Sequence, residues 1–385
     1  MSDSLLYSKT RSCNRRSTKK APNRNISRHL QRLEELEEAV AANQSLRVIR
    51  LLPSCHAKVS EGIIWAASCH PHLERIVVSV PVRAPQNTMD VHESGILLLE
   101  GLSEVIQQSA TLTDLSLRVD PDLCLLRKNS HEPPAAKHWQ SLADALAVTN
   151  SLCRLRLEFE ECVDEAPSEV LADMSSALME GISRNASLQS LELVNVPEES
   201  ALDLFHGVHS RREVLPKISL TNSPAIVSYL SVLEDDVPQE RPGGWLVVSS
   251  LQVDKASLTD DLFGLKLLSQ AGGLEAFKVT DNMSEKKANS LLGALLGGGS
   301  KIECLTMGHD SPFLLSLLKS ESLLSLELNG GHHTVTADAA LTLLEACPSL
   351  RHLQFTNVKS DGDWACVWKK MEDHRLECLE FIGKE

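Results

Sequence analysis

Cysteine and histidine are the side chains in this sequence that could hold a metal ion or act as nucleophile and base. The ten cysteines are spread along the chain, and no two have the C-x-x-C spacing of zinc and redox sites. The 14 histidines are scattered, and the His332–His333 pair has no carboxylate or cysteine at ligand spacing. We therefore predict no metal site and no cofactor, and we interpret the cysteines as free thiols packed as small apolar groups.

The motifs of common enzyme classes are also missing from the sequence. Gly297–Lys301 (GGGSK) lacks the G-x-x-x-x-G-K-[ST] spacing of a phosphate-binding loop, and neither G-x-S-x-G nor H-E-x-x-H occurs. The sequence therefore predicts a protein that is not an enzyme.

A recurring pattern of leucines indicates the architecture instead. Ser187–Leu193 reads SLQSLEL, with apolar residues in the L-x-x-L-x-L spacing. In a strand, Leu191 and Leu193 point to the same side, toward a core, while Glu192 points to the opposite side. One such copy is weak evidence, but recurrence at a regular period is the signature of a repeat architecture.

We find twelve copies of this spacing, and six of the eleven start-to-start steps are 26 to 28 residues. The copies begin at Leu46, Leu73, Leu112, Leu152, Leu188, Leu215, Val248, Leu274, Ile302, Leu323, Leu350 and Leu376. Helical periodicity lies between many of them. The predicted helices are Ser94–Ser109, Trp139–Val148, Ser168–Arg184, Pro224–Leu233, Asp260–Gln270, Ser284–Leu296 and Ala337–Ala346. The repeating unit is strand, turn, helix, turn.

From Leu46 to Ile382 the chain resembles the leucine-rich repeat family, and its helices resemble the ribonuclease-inhibitor-like subclass. The resemblance implies an α/β leucine-rich-repeat solenoid, a horseshoe of about twelve repeats with parallel strands on the concave face and helices on the convex face. The repeats are degenerate. The family has Asn or Cys eight residues after the first Leu, but here only Asn282 stands there, and Asn195, Asn222 and Asn357 come one residue early.

The concave face would carry the second, fourth and sixth residues after each first Leu. Arginines are concentrated there in the N-terminal half, while glutamates appear in the later half, and a local basic patch can steer an acidic partner. The candidate partner-binding residues are Arg50, Arg75, Arg118, Arg154, Arg156, Glu192, Lys278 and Glu327. Aromatic residues, which usually supply hot spots of tight binding, are nearly absent from these positions.

The segments before the first repeat predict two further parts of the chain. Residues 1–28 are polar and basic, which predicts a disordered segment, and Arg15–Lys20 (RRSTKK) fits either a nuclear-localisation signal or a solvated tail. Residues 29–45 belong to a predicted helix that caps the edge of the first strand. The predicted repeat domain spans residues 46–385.

Composition limits the partners and the compartment. The formal net charge of −14 makes nucleic-acid binding unlikely for the repeat body, since phosphate binding needs clustered Lys and Arg. No apolar run reaches the roughly 18 residues of a membrane span, and no signal-peptide pattern opens the chain. We predict a cytoplasmic or nuclear protein without membrane contact.

Together these features predict a non-catalytic protein-binding scaffold. It would use the concave strand face and rim loops, above all residues 81–92 and 120–137, where Pro-rich insertions lengthen the repeats. The partner and the oligomeric state are not specified by the sequence. One alternative is a substrate-recognition subunit of a multiprotein complex such as a ubiquitin ligase. Another is a fragment of a larger repeat receptor, against which the predicted capping helix argues.

Overall fold

The structure of the chain is a computed structural model. It describes residues 34–51, 57–68, 70–79, 88–119, 134–159, 168–211, 217–221, 248–253, 273–297, 300–309, 318–330, 334–357 and 359–382, together with residues 258, 262, 265, 266 and 269.

A parallel sheet of twelve strands runs through the described residues, and the order of its strands follows the order of the chain. The strands are β1 (Val48–Leu51), β2 (Arg75–Ser79), β3 (Asp114–Val119), β4 (Arg154–Phe159), β5 (Ser190–Val194), β6 (Lys217–Thr221), β7 (Val248–Val253), β8 (Ala276–Met283), β9 (Cys304–His309), β10 (Ser325–Gly330), β12 (His352–Thr356) and β14 (Cys378–Ile382). Two short strands, β11 (Thr334–Thr336) and β13 (Lys359–Asp361), pair separately.

Each of the twelve predicted copies coincides with one strand of the large sheet. In β3, for example, Leu115, Leu117 and Val119 are buried, and the residues between them are partly exposed. This alternation places one side of every strand against the core and leaves the other side open. The predicted α/β repeat solenoid with parallel strands is therefore confirmed.

Apart from α1, which precedes β1, the helices lie between the strands in sequence. They are α1 (34–42), α2 (Ala57–Ala67), α3 (Thr88–Gln108), α4 (Pro134–Val148), α5 (Ser168–Arg184), α6 (Glu198–Arg211), α7 (Glu285–Leu295), α8 (Ala337–Ala346) and α9 (Ala365–Asp373). The bounds of α5 and α8 are those predicted, whereas α3 and α4 begin earlier, at Thr88 and Pro134. The predicted helix Pro224–Leu233 lies outside the described residues, as does most of Asp260–Gln270.

Helices α2 to α6 pack side by side in chain order, as do α8 and α9, and we call the helices beside the sheet the helix layer. Gly181 of α5 shows how close they come, because a Cβ atom at this position would lie 2.3 Å from the Ala143 carbonyl oxygen of α4. The buried side chains of the helices and of the strands belong to one continuous hydrophobic cluster. As expected of a solenoid, each unit buries its apolar side against the units on either side of it.

Polar side chains in the turns that follow the helices connect one unit to the next. Asn185 ends α5, and its Nδ2 donates to the carbonyls of Leu146 at 2.6 Å and of Thr149 at 3.1 Å in the preceding unit. Its Oδ1 accepts from the backbone N–H groups of Ser187 and Leu188. Since Asn185 is buried, this side chain satisfies backbone groups that water does not reach.

Two asparagines that come one residue before the family position also connect neighbouring units. Asn195 has φ 54° and Asn357 has φ 58°, in the left-handed region that asparagine tolerates. The Nδ2 of Asn195 donates to the Phe159 carbonyl at 3.0 Å, and the Nδ2 of Asn357 donates to the Asn329 side chain at 3.0 Å. The offset in sequence therefore does not prevent contacts between units.

At the N-terminal end, α1 joins the helix layer. The Glu37 side chain lies over Gly62 of α2, and its partial burial raises the pKa of its carboxyl, with the nearby Glu34 adding to the shift. The carbonyl of Asn43, just after α1, accepts a hydrogen bond from the His70 ring. These contacts place α1 beside α2, where the helix of a preceding unit would stand. Its predicted role as a cap on the edge of β1 stays a prediction.

The register of the sheet changes between β6 and β7. We number the positions of each copy from its first Leu, so that the second-position residue is the one two residues after it. Elsewhere in the sheet the second-position residue of one copy lies opposite that of the next, as for Ser190 and Lys217. At this junction Ser219, a fourth-position residue, pairs with Ser250, a second-position residue, and Ser249 is passed over. One extra residue therefore interrupts the register at this junction, so that fourth-position residues of β6 stand in line with second-position residues of β7, and a second change of register follows Val279 between β8 and β9.

Candidate protein-binding face of the sheet

The side of the sheet that faces away from the helix layer carries the candidate residues. We call it the open sheet face and define it by the strand residues that alternate with the buried ones. All eight predicted residues lie on it. Arg50, Arg75, Arg154 and Lys278 are exposed, and Arg118, Arg156, Glu192 and Glu327 are partly exposed.

Arg154 and Asp114 form the best-defined pair on this face. They stand opposite each other in the register of β3 and β4. The guanidinium binds the carboxylate in a two-pronged arrangement, with Nε on Oδ1 and with Nη2 2.8 Å from Oδ2. The Thr113 hydroxyl also donates to Oδ2, at 2.7 Å. The hydrogen bond from Arg154 lowers the pKa of Asp114, and the bond from Thr113 adds to this effect while burial opposes it.

Arg156 connects two further carboxylates. Its Nη1 binds Glu192 on β5, directly opposite in the register, and its Nη2 lies 3.0 Å from the Oε2 of Glu158 on its own strand. Glu158 also approaches Arg118, with 3.7 Å between Oε1 and Nε. Glu158 therefore lies between two arginines of neighbouring strands.

These six residues form two neighbouring groups of ion pairs, which together we call the ion-pair network: the pair Asp114–Arg154 and the series Arg118–Glu158–Arg156–Glu192. Three guanidinium groups and three carboxylates balance in formal charge. The sequence reasoning named four of the six as binding residues and missed Asp114 and Glu158. The signal was present, since Asp114 and Arg154 are both second-position residues of successive copies, which stand opposite each other in a parallel sheet.

The other candidate cations on this face are not in this network. Arg50 on β1, Arg75 on β2 and Lys278 on β8 are exposed, and none forms a salt bridge with a residue that the structure describes. Arg75 still acts on Asp114 through space and contributes to the lowered pKa of that carboxyl. The positive charge that ion pairs leave unbalanced therefore lies mainly toward the N-terminal edge, and not at Arg154 and Arg156.

In the later half of the array the open sheet face is more neutral. Glu327 on β10 accepts a hydrogen bond from the Thr306 hydroxyl on β9 at 3.2 Å. Gln354 on β12 donates to the Thr356 hydroxyl of the same strand at 3.2 Å. The structure thus brings Arg118, Arg154, Arg156 and Glu192 together and keeps Lys278 and Glu327 apart from them.

The predicted rim loops are only partly described. Residues 81–87 and 120–133 lie outside the described part of the chain. Residues 88–92 and 134–137, which were predicted to belong to loops, are the first residues of α3 and α4. Pro134 is compatible with this position, because proline at the start of a helix has no N–H that needs an intrahelical partner.

The two tryptophans near the C-terminal end differ in exposure. Trp364 is partly buried and meets the Phe381 ring edge-on, with centroids 4.8 Å apart. Trp368, four residues later, is 53% exposed. Trp364 therefore helps to cover the C-terminal end of the core, and Trp368 does not.

Within the described residues, no group of three or more His, Cys, Asp and Glu side chains is arranged to hold a metal ion. The described cysteines are free thiols. Burial raises the pKa of Cys347 and of Cys304, and Glu303 and Glu275 add to the shift at Cys304. Because a nucleophilic cysteine needs a lowered pKa, neither thiol has the environment of a catalytic one.

No described helix combines the length and the apolar character that a membrane crossing requires.

Comparison with known proteins gives limited information. No family model matches the chain, and no curated protein sequence matches it. Among solved structures, the tropomodulin C-terminal domain of Caenorhabditis elegans matches with 17% sequence identity, covering 46% of this chain and 90% of that chain, with a TM-score of 0.29. This score is too low for an argument about fold or function, and both rest on the geometry described above.

Proposed function

We propose that this chain is a non-catalytic scaffold of the leucine-rich-repeat type that binds a protein partner through the open sheet face. The twelve-stranded sheet offers a long surface whose backbone is fixed by the ladder of hydrogen bonds. Such extended surfaces are the usual binding sites of solenoid proteins. The closer resemblance to the ribonuclease-inhibitor-like subclass belongs to the same proposal.

The ion-pair network is the observation that carries the proposal. Ordering a long charged side chain on binding costs about 0.5–1.5 kcal/mol, and side chains already held in place avoid much of this cost. Arg154 is held by Asp114 while its side chain remains 67% exposed. A guanidinium has five N–H donors, so donors remain for the backbone carbonyls or carboxylates of a partner.

The unbalanced cations indicate the charge of the partner. Arg50, Arg75 and Lys278 are exposed on the open sheet face, and no described residue forms a salt bridge with them. On a chain of net charge −14, such local positive charge favours a partner segment with acidic residues at the contact.

Three further predictions from the sequence are not tested by the structure and stay predictions. They are the involvement of the rim loops, the substrate-recognition role in a ubiquitin ligase and the cytoplasmic or nuclear location. Residues 1–33, which include the basic segment, lie outside the described residues.

The test is cross-linking mass spectrometry of complexes captured with the full chain. We would compare the wild type with Arg75→Glu/Lys278→Glu, which reverses two exposed cations of the open sheet face. The matched control is Lys286→Glu/Lys301→Glu, which makes the same change in net charge at exposed positions outside the strands.

We expect a partner whose cross-links map to the open sheet face and whose binding is lost in the first variant and kept in the control. Equal binding by all three chains, or cross-links confined to the helix layer, would contradict the proposal. Circular dichroism would first establish that the variants fold like the wild type.

A further inference from the structure

Among the residues that the structure describes, the exposed large apolar side chains are concentrated in the first and last units of the array. Five of the seven belong to the end units: Leu36 on α1, Val48 on β1, Trp368 on α9, and Phe381 and Ile382 on β14. The other two are Trp65 and Val148. In a solenoid such side chains are covered by the neighbouring unit, and the end units have one neighbour fewer.

Phe381 on β14 is less covered than the equivalent residue of the preceding strand. It stands opposite Phe355 in the core row of the sheet, and the two rings stack with centroids 5.3 Å apart. Phe355 is fully buried, whereas Phe381 is 39% exposed. β14 pairs with β12 on one side, and no described strand pairs with its other side. Within the described part of the chain, the free side of β14 therefore has unpaired backbone groups beside a partly exposed core residue.

The register rule of the array predicts how a further strand would align with β14. Second-position residues lie opposite each other, as do His352 and Cys378. A strand like β1, placed next in the same register, would set Val48 beside Cys378 and Arg50 beside Glu380. On the core side the same alignment sets Leu51 beside Phe381.

The charges at the two ends are complementary in this alignment. Arg50 and Glu380 are both exposed, and neither forms a salt bridge with a described residue. Glu380 accepts a weak hydrogen bond from the Cys378 thiol at 3.5 Å. Opposite charges directly across neighbouring strands are favourable, and they would meet on the open sheet face.

The helix layer allows the same continuation. α1 precedes β1 in the chain as α9 precedes β14, and helices of successive units pack side by side. Continuing the layer would bring α1 of one chain beside α9 of another, the two helices that expose Leu36 and Trp368.

We propose that the β14–α9 end of one chain binds the β1–α1 end of a second copy of the same chain, head to tail, so that the second copy continues the parallel sheet. The contact joins two different surfaces and can therefore repeat from copy to copy. The symmetric alternative, β14 against β14 in antiparallel orientation centred on Glu380, would place two Glu380 carboxylates opposite each other, which is unfavourable.

The test is sedimentation analysis of the full chain as a function of concentration, at an ionic strength of about 0.15 M, where long-range repulsion between the acidic bodies is screened. We expect the mean mass to rise above the 42.2 kDa of one chain. Arg50→Glu and Glu380→Arg should each raise the dissociation constant about tenfold or more, because each places like charges at the contact.

Two further samples distinguish the arrangements. An equimolar mixture of the two single variants should associate, because Glu380 of the Arg50→Glu chain can pair with Arg50 of the Glu380→Arg chain. The double variant Arg50→Glu/Glu380→Arg should also associate, since the two charges of the pair are exchanged. Lys286→Glu is the control, an exposed reversal on α7 that should leave association unchanged. A wild type that stays monomeric at every concentration, or an association that survives Arg50→Glu, would overturn the proposal.

Discussion

The Asp114 carboxylate and the Arg154 guanidinium, 40 residues apart in sequence, bind each other across β3 and β4. They meet because both are second-position residues in a sheet whose strands are in register. The pair ties together two units of the open sheet face and adds charged donors and acceptors at a fixed position. The contribution of the pair to the free energy of unfolding can be measured by varying the pH.

The first prediction concerns the pH dependence of this pair. The hydrogen bond from Arg154 lowers the pKa of Asp114 in the folded chain below its ordinary value of 3.8. A lowered folded pKa stabilises the fold above the unfolded pKa, and this contribution is lost as the pH falls through the folded pKa. Asp114→Asn should therefore lower the free energy of unfolding at pH 7 by at most about 1 kcal/mol, since Arg154 is largely exposed.

Urea unfolding of both chains between neutral pH and pH 3 checks this prediction. The difference between wild type and Asp114→Asn should be constant near neutral pH and should shrink as the solution becomes acidic. A difference that does not change with pH would mean that the carboxylate is not stabilised by Arg154.

A second prediction concerns Asn185. Replacing it by Ala removes the donor to the Leu146 and Thr149 carbonyls and the acceptor for the Ser187 and Leu188 N–H groups. These groups are buried with the side chain, so we expect a loss of about 1–3 kcal/mol in the free energy of unfolding. Asn150→Ala, at an exposed position of the preceding turn, is the control and should change stability by less than about 0.5 kcal/mol. Equal effects in denaturant titrations would show that the connection between units does not stabilise the fold.

The third prediction uses two glycines in helices. In Gly181→Ala the new methyl group would lie 2.3 Å from the Ala143 carbonyl oxygen, so α4 and α5 must separate, and we expect a loss of about 1–3 kcal/mol. At Gly293 of α7 a Cβ atom meets nothing within 4 Å, and Gly293→Ala should stabilise the chain by about 0.5–1 kcal/mol. Thermal unfolding of both variants measures these shifts. Stabilisation by Gly181→Ala would contradict the close packing of the helices.

A fourth prediction concerns Cys347 as a reporter of local opening. Its thiol is fully buried beside the Leu318 carbonyl, and burial raises its pKa, so both access and thiolate content are low in the folded chain. Maleimide labelling of the native chain, read by peptide mass spectrometry, should modify the exposed Cys366 well before Cys347. Cys347 should become reactive in urea together with global unfolding. Labelling of both thiols at the same rate in native buffer would contradict the burial of this position.

The strands were predictable from the sequence because a period of two is visible wherever one side of a strand is buried, as in β3 and β5. The starts of α3 and α4 were not predictable, since Thr88 and Pro134 lie in polar, Pro-containing segments without a clear apolar stripe. The ion pairs were missed because each candidate residue was considered within its own copy. Asp114 acquires its role only from Arg154 in the next copy, and that relationship requires the register between strands.

The offset between β6 and β7 was also outside the reach of the sequence, since Val248–Val253 has the same spacing as the other copies. It has a consequence for any ligand that lies across the sheet. A straight row of side chains followed across the sheet passes at this junction from the fourth-position Ser219 to the second-position Ser250, so the row stays continuous while its position within the copy changes by two. A ligand that crosses the junction therefore contacts residues from different positions of the two copies, and its contacts have to be read from the strand pairing rather than from the leucine spacing.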